Sequence, residues 1–260
     1  MSVLLAVDGL KKSYGGVDAV RGVAFSVSAG EMVALIGPNG AGKSTCFNMI
    51  NGQIRPDAGS IRMFGRETVG LSPAAIWRLG VGRTFQITAT FGSMTVVENI
   101  QVALASHSGT AWRSLMRLDR FRRGEAQDLL DLVGIGALAE RPCGELAYGD
   151  LKRLELAVAL SNAPKLLLMD EPTAGMAPGE RTALMGLTAG IARRQGIGIL
   201  FTEHDMDVVF EHADRLMVLD RGRLIAEGSA EAVRRDPLVR AVYLGDGTVF
   251  SANPAPELSR

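Results

Sequence analysis

The chain has 260 residues, 47% hydrophobic and 22% charged, and its 28 basic residues balance 28 acidic ones. A neutral chain of this size can bury a substantial core and exerts no general electrostatic pull on nucleic acid or an acidic surface. No run approaches the roughly 18 apolar residues of a membrane span, and charges come too early in MSVLLAVDGLKK for a secretory leader.

The chain is therefore expected to stay in the cytoplasm. Its two cysteines, Cys46 and Cys143, lack the spacing of a disulfide or metal motif and read as small buried hydrophobes. The 31 glycines are dispersed at turns, with no low-complexity segment and no internal repeat.

In chain order, alternating apolar residues in VLLAVDGLKKSY and AVRGVAFSVSAGE predict a small antiparallel unit. EMVALIG reads as a buried strand, followed by a glycine-rich loop and a helix in KSTCFNMINGQI. Residues 59–64 form another strand, ended by Gly65. From about Thr88 to Ala159 the pattern is helical, with SMTVVENIQVALAS, GEAQDLLDLVGIGALAE and a helix beginning near Asp150. PKLLLMDEP and GIGILFTEH are β-rich runs on either side of the helical ERTALMGLTAGIARRQG, and RLMVLDRGRLIAEG reads as two strands about an Asp-Arg-Gly turn.

The β/α alternation, interrupted once, predicts an α/β core with an N-terminal antiparallel β unit and an α-helical subdomain inserted at about residues 88–159. Residues 1–245 then make one domain, and the Pro- and Ser-containing end, 246–260, is a flexible tail.

GPNGAGKST, residues 37–45, matches the phosphate-binding pattern GxxxxGK[ST] between a strand and a helix. Gly37, Gly40 and Gly42 let backbone N–H groups turn inward around phosphate oxygens, and the helix N-terminus adds partial positive charge. Lys43, one of only five lysines, is expected to reach the β- and γ-phosphates, and Ser44 to ligate magnesium. Pro38, Asn39, Ala41 and Thr45 complete this nucleotide cradle. A purely structural glycine turn is the competing reading.

KLLLMDEP ends an apolar strand in two adjacent carboxylates. Successive strand residues face opposite sides, so Asp170 can hold magnesium while Glu171 acts as general base toward water. In FTEHD, His204 lies just past another apolar strand, where it can donate toward a γ-phosphate. His107 and His212 read as ordinary surface or core histidines. Gln86, in RTFQ, stands at the edge of the helical insert, where a polar side chain can sense both nucleotide and neighbouring protein.

Tyr14, GPNGAGKST, RTFQ, LAYGD, LLLMDEP and FTEHD, in this order, resemble an ABC-type ATP-binding subunit over about residues 1–245. The resemblance implies a P-loop NTPase (RecA-like) core and an ATPase that uses ATP and Mg2+. It implies that two such subunits close head to tail, each phosphate loop meeting the partner's signature segment, here Ala147, Tyr148 and Gly149. It further implies that Tyr14 stacks on adenine, that His204 is a switch histidine, and that Gln86 joins Ser44 and Asp170 at the metal and links the site to the helical insert. For Tyr14, plain sheet packing is the alternative.

The LAYGD, DEPTAGMAP, EHDMDVV and DPLVRAVYLG segments resemble the branch that serves branched-chain amino acid import. That implies integral-membrane permease subunits, a second ATP-binding subunit in a homo- or heterodimer, an extracytoplasmic solute-binding protein, and a place on the cytoplasmic face of the membrane, without nucleic acid. Four residues depart from the family pattern: Ala147 in place of a serine, Tyr148 in place of a glycine, Asp150 in place of a glutamine, and Ala177 where Asp or Asn is usual. A lost hydrogen bond to a charged oxygen costs roughly 1.5–3 kcal/mol, which weakens closure on ATP without abolishing it.

The basic stretch WRSLMRLDRFRR, residues 112–123, has no clean apolar stripe and reads as a solvated face with some buried anchors rather than a lipid or permease contact. Three other readings remain open to the sequence: a lipid or polysaccharide exporter subunit, a soluble ABC ATPase acting on ribosomes or DNA, and a nucleotide-binding scaffold that hydrolyses poorly.

Overall fold

The computed structural model describes residues 2–84, 90–107 and 121–245. The chain opens with a long hairpin, β1 (Val3–Tyr14) and β2 (Val17–Ser28), and then enters β3 (Met32–Ile36) and α1 (Lys43–Ile50). β4 (Ala58–Met63) and β5 (Arg66–Glu67) return to the hairpin, giving an antiparallel sheet of order β2-β1-β4-β5. The antiparallel opening expected from alternation is thus present, widened by two later strands.

After α2 (Pro73–Arg78), the strand β6 (Val81–Thr84) begins the outer edge of a second sheet. The helices α3 (Val96–His107), α4 (Arg123–Leu132) and α5 (Tyr148–Leu160) follow before the chain returns to β7 (Leu166–Asp170). Then α6 (Pro178–Gln195), β8 (Gly198–Thr202), α7 (Met206–His212), β9 (Arg215–Asp220) and β10 (Arg223–Gly228) complete the sheet, and α8 (Ala230–Arg235) and α9 (Pro237–Gly245) close the described chain.

The second sheet has the order β10-β9-β3-β8-β7-β6. β9, β3, β8, β7 and β6 run parallel, and β10 pairs antiparallel with β9. Every residue of β3 and β8 is buried, the pattern of strands covered on both faces.

Alternation along β3 divides the core in two. Met32, Ala34 and Ile36 pack with residues of α3, α5 and α6, whereas Val33 and Leu35 pack with α1 and the antiparallel sheet. The sheet is therefore sandwiched, and the ends of its parallel strands are left to build a site. The turn between β9 and β10 has φ of 44° at Arg221 and 78° at Gly222, the double left-handed geometry of a tight hairpin. Its Gly222 carbonyl accepts from the Arg21 N–H at 2.7 Å and its N–H donates to Ala41 O at 2.9 Å, so this turn braces the loop after β3 against β2.

The two sheets are also tied by charge. Arg215 on β9 donates through Nε to Glu31 Oε1 at 2.7 Å and through Nη2 to Ser26 O at 2.6 Å, while the Ser28 N–H donates to Glu31 Oε2 at 2.8 Å. Arg215 also pairs with Glu227 on β10. Burial alone pushes the Glu31 carboxyl up, but the bonds from Arg215 and Ser28 outweigh it and hold the group below its ordinary value.

A carboxyl held low in the folded state contributes stability above its unfolded pKa, and that contribution disappears as pH falls through the folded value. Glu31→Gln is expected to cost about 1.5–3 kcal/mol near neutral pH. The gap between wild type and variant should close as pH drops below the ordinary carboxylate value of 4.5. Urea unfolding of both proteins across that range checks it.

Candidate nucleotide site

The loop of residues 37–42 follows β3 directly and leads into α1. Gly42 caps α1 with φ 104° and offers no side-chain acceptor, leaving first-turn N–H groups for a ligand. A Cβ at Gly42 would lie 2.4 Å from Ala19 O, and one at Gly37 would lie 2.1 Å from Leu219 O, so both positions require glycine for close backbone approach. The Lys43 side chain is folded back into the loop, donating to Gly37 O at 2.6 Å and Pro38 O at 3.1 Å. Burial pushes its ammonium below the ordinary lysine value, and the charges of Glu171 and Asp170 oppose that shift. Ser44 is exposed at the helix start and Thr45 half-buried.

Asp170 ends β7 and Glu171 begins the turn beyond it. Asp170 Oδ1 accepts from the Thr202 hydroxyl at 2.7 Å, and Oδ2 takes no hydrogen bond among the described residues. Glu171 has φ 50°, left-handed for a residue with a side chain, and its Oε1 lies 2.8 Å from His204 Nε2. A carboxylate can only accept here, so the imidazole holds its proton on Nε2 in this arrangement. His204 shares a cleft of about 540 Å3 with Gly37, Pro38, Asn39, Met206 and Tyr243. Loop, carboxylate pair and histidine therefore converge at the C-terminal ends of β3, β7 and β8.

Tyr14, 46% exposed, stands at the tip of the β1–β2 hairpin, whose Ala19 carbonyl abuts Gly42. The Lys12 ammonium lies over the Tyr14 ring, 5.5 Å from its centre, and bonds Asp57. Gln86 and most of the basic stretch 112–123 lie outside the described residues.

The segment Ala147, Tyr148 and Gly149 is elsewhere. It opens α5, which begins at Tyr148, two residues ahead of the helix start expected from Asp150. Ala147 and Gly149 line a cleft of about 400 Å3 with Asp150, Arg153, Met176 and Glu180, and none of these residues lines the clefts at the phosphate loop. Tyr148 donates through its hydroxyl to Ala174 O at 2.9 Å, joining this helix start to the turn that carries Ala177.

Both alanine departures prove to be helix N-caps. Ala147 caps α5 and Ala177 caps α6, neither with an acceptor side chain, although Glu180 accepts from the Ala177 N–H at 3.3 Å. Among the described residues Asp150 makes no hydrogen bond that caps its own helix. Ala147→Ser supplies the missing acceptor and is expected to raise stability by about 1 kcal/mol, read as a shift in the urea midpoint with unchanged slope.

Sequence reading passed over Glu203, Thr202, Thr173 and Tyr243. The Glu203 carboxylate, 5% exposed, accepts from the Thr173 N–H at 2.9 Å, the Thr173 hydroxyl, and the His204 N–H at 2.9 Å. A charge set inside an otherwise apolar strand end was the available signal. Tyr243 offered none, because its place beside the loop depends on how α9 folds back.

A family model described as ABC transporter matches residues 20–174, and one described as Branched-chain amino acid ATP-binding cassette transporter matches residues 223–248. The chain is 39% identical to the high-affinity branched-chain amino acid transport ATP-binding protein BraF of Pseudomonas aeruginosa, over 94% of this chain and 98% of that one. It is 39% identical to the corresponding LivG of Escherichia coli K12 over the same shares, 94% and 98%. Among solved structures, the ADP conformation of an ATP-binding cassette of an ABC transporter matches with a TM-score of 0.83 at 31% identity, covering 94% of this chain and 100% of that one. With one family model spanning more than half its length and relatives matched over nearly all of it, the chain belongs to the ABC transporter family of ATP-binding proteins.

Proposed function

We propose that the chain binds ATP with Mg2+ at residues 37–45 and hydrolyses it to drive import of branched-chain or related amino acids through a separate membrane permease. The observation that carries the reading is the convergence of Lys43, Asp170, Glu171 and His204 at the ends of adjacent parallel strands. The relatives named for branched-chain amino acid transport supply the substrate class.

The donor set suits the metal: Ser44 and Asp170 offer only oxygen, and the Asp170 oxygen left unbonded is available to a hard cation or its water. Ser44 and Asp170 would hold Mg2+, which would supply positive charge against the negative charge developing on the transferred phosphoryl group. Lys43, now on loop carbonyls, moves its ammonium onto the β- and γ-phosphates, and the N–H groups at the start of α1 hold the phosphate oxygens. Glu171 takes the proton of the attacking water, and His204, which bonds Glu171 here, orients that base and the γ-phosphate. Tyr14 supplies an exposed ring for adenine, and Gln86 reports the occupied site to the helical insert.

Ala147 and Gly149, on either side of Tyr148, face a cleft of their own, which suits a second ATP-binding subunit bringing its phosphate loop to this segment. In this reading α3, α4 and α5 are the helical subdomain of a single domain, with the permease in the groove beside it. No helix among the described residues is long and apolar enough to cross a membrane; in this reading separate permease subunits form the channel, and the chain works at their cytoplasmic face, downstream of an extracytoplasmic solute-binding protein.

Uptake of labelled leucine, isoleucine and valine by cells lacking the chain tests the assignment. Wild type is expected to restore uptake and Glu171→Gln to leave it absent. Normal uptake without the chain, or loss of lipid or polysaccharide export instead, contradicts the importer.

A further inference from the structure

β7 and β8 pair in register to their ends, with Asp170 opposite Thr202. Thr202 is 1% exposed, and its hydroxyl lies between the two carboxylate residues: Oγ1 donates to Asp170 Oδ1 at 2.7 Å and accepts from the Glu171 N–H at 3.1 Å. The direction of this chain is fixed by chemistry. An ionised carboxylate accepts and a backbone N–H donates, so the single hydroxyl proton goes to Asp170 and a lone pair receives Glu171.

The rest of β8 is apolar, with Ile199, Leu200 and Phe201 each 0% exposed. A hydroxyl in such surroundings is costly unless both its capacities are used, and here both are used on the hydrolytic pair. Glu171 also keeps a left-handed backbone, φ 50°, of the kind that persists where surroundings over-determine it. Its N–H is held by the Thr202 carbonyl at 3.2 Å and by the hydroxyl. Glu203, one residue past the end of β8, separately fixes Thr173 and His204. Removing the Thr202 hydroxyl thus leaves a clamp that keeps the two turns together.

We propose that Thr202 is a positioning residue for ATP hydrolysis: its hydroxyl occupies Asp170 Oδ1, leaving the other oxygen for the metal, and holds the backbone pivot that aims Glu171. The inference rests on reading this site as a magnesium-dependent ATPase. Its loss acts on turnover and on the magnesium response rather than on nucleotide binding itself, because Thr202 lines none of the clefts at the loop.

The near-isosteric Thr202→Val, beside Thr202→Ser, provides the test in the full chain. For Thr202→Val, kcat is expected to fall about tenfold, the scale of one hydrogen bond to a charged group, with KM for ATP within about twofold of wild type. Thr202→Ser, which keeps the hydroxyl, restores kcat. Calorimetric binding of a non-hydrolysable ATP analogue gives the second readout: affinity without magnesium is unchanged in Thr202→Val, and the gain on adding magnesium shrinks several-fold. Should valine crowd the site and lower the melting temperature, Thr202→Ala is read in the same way.

Wild-type turnover and magnesium gain in Thr202→Val overturn the proposal, as does a serine variant that fails as badly as valine. A wild-type chain without magnesium-dependent hydrolysis instead brings down the ATPase reading, and the role of Thr202 with it.

Discussion

Glu171→Gln is expected to lower ATP turnover by about two to four orders of magnitude, the contribution of a general base, while ATP still binds. Glutamine keeps the size of the side chain and an oxygen for the His204 Nε2–H at the 2.8 Å contact, but it cannot take a proton from water. The change replaces no residue of the phosphate loop and removes only the charge that Glu171 sets against Lys43, so binding and closure are expected to persist. Removing a negative charge beside the γ-phosphate further favours the ATP-bound state. Light scattering should show the variant as a dimer in ATP and a monomer without it, whereas wild type dimerises only transiently. Near-normal turnover in the variant removes Glu171 from the role of base and leaves His204 or Asp170 to be tested.

Lys43→Ala should weaken ATP binding by about ten- to a hundredfold, since each hydrogen bond from an ammonium to a charged phosphate oxygen contributes about 1.5–3 kcal/mol. The consequence for turnover is larger, because the same charge is needed where negative charge develops on the transferred phosphoryl group. The position of Lys43 bears on how the effect is read. Its ammonium already holds Gly37 O and Pro38 O, so alanine also loosens the loop itself. Titration with a fluorescent ATP analogue measures the affinity, and thermal unfolding without nucleotide isolates the part due to the loop. An affinity within twofold of wild type places the phosphates away from Lys43.

The parts of this protein that were legible in the sequence share one property: their signal is local. β3 is five buried residues read as an unbroken apolar run, followed by a glycine pattern whose spacing encodes its own geometry. Asp170 at the end of β7 was equally plain, whereas Glu171, expected on the opposite strand face, stands in the turn with φ 50°, so its direction comes from that backbone and not from alternation. Thr202 was not plain, although it stands within the quoted FTEHD. Its hydroxyl acquires meaning only from the register that sets it opposite Asp170, and the sequence locates the helix between β7 and β8 without encoding the register of the two strands across it.

Short elements were lost for a different reason. α2 has six residues, too few for a helical period, and its signal was the cap: Ser72 accepts from the Ala75 N–H, and Pro73 follows at the first turn. Ala147 shows how a correct observation can miss its setting. The missing hydroxyl was read as a lost phosphate contact, and the helix start two residues earlier makes it a missing N-cap as well. That second role ties the departure to the stability of α5, besides any effect on ATP.

The central claim, a complete magnesium-dependent hydrolytic site formed when two chains close on ATP, meets its most direct test in phosphate release by the purified wild-type chain over a range of concentrations. The account predicts release that requires magnesium and rises more steeply than linearly with chain concentration while dimers are forming. Absence of release at every concentration, together with no ATP-dependent dimer, would contradict it.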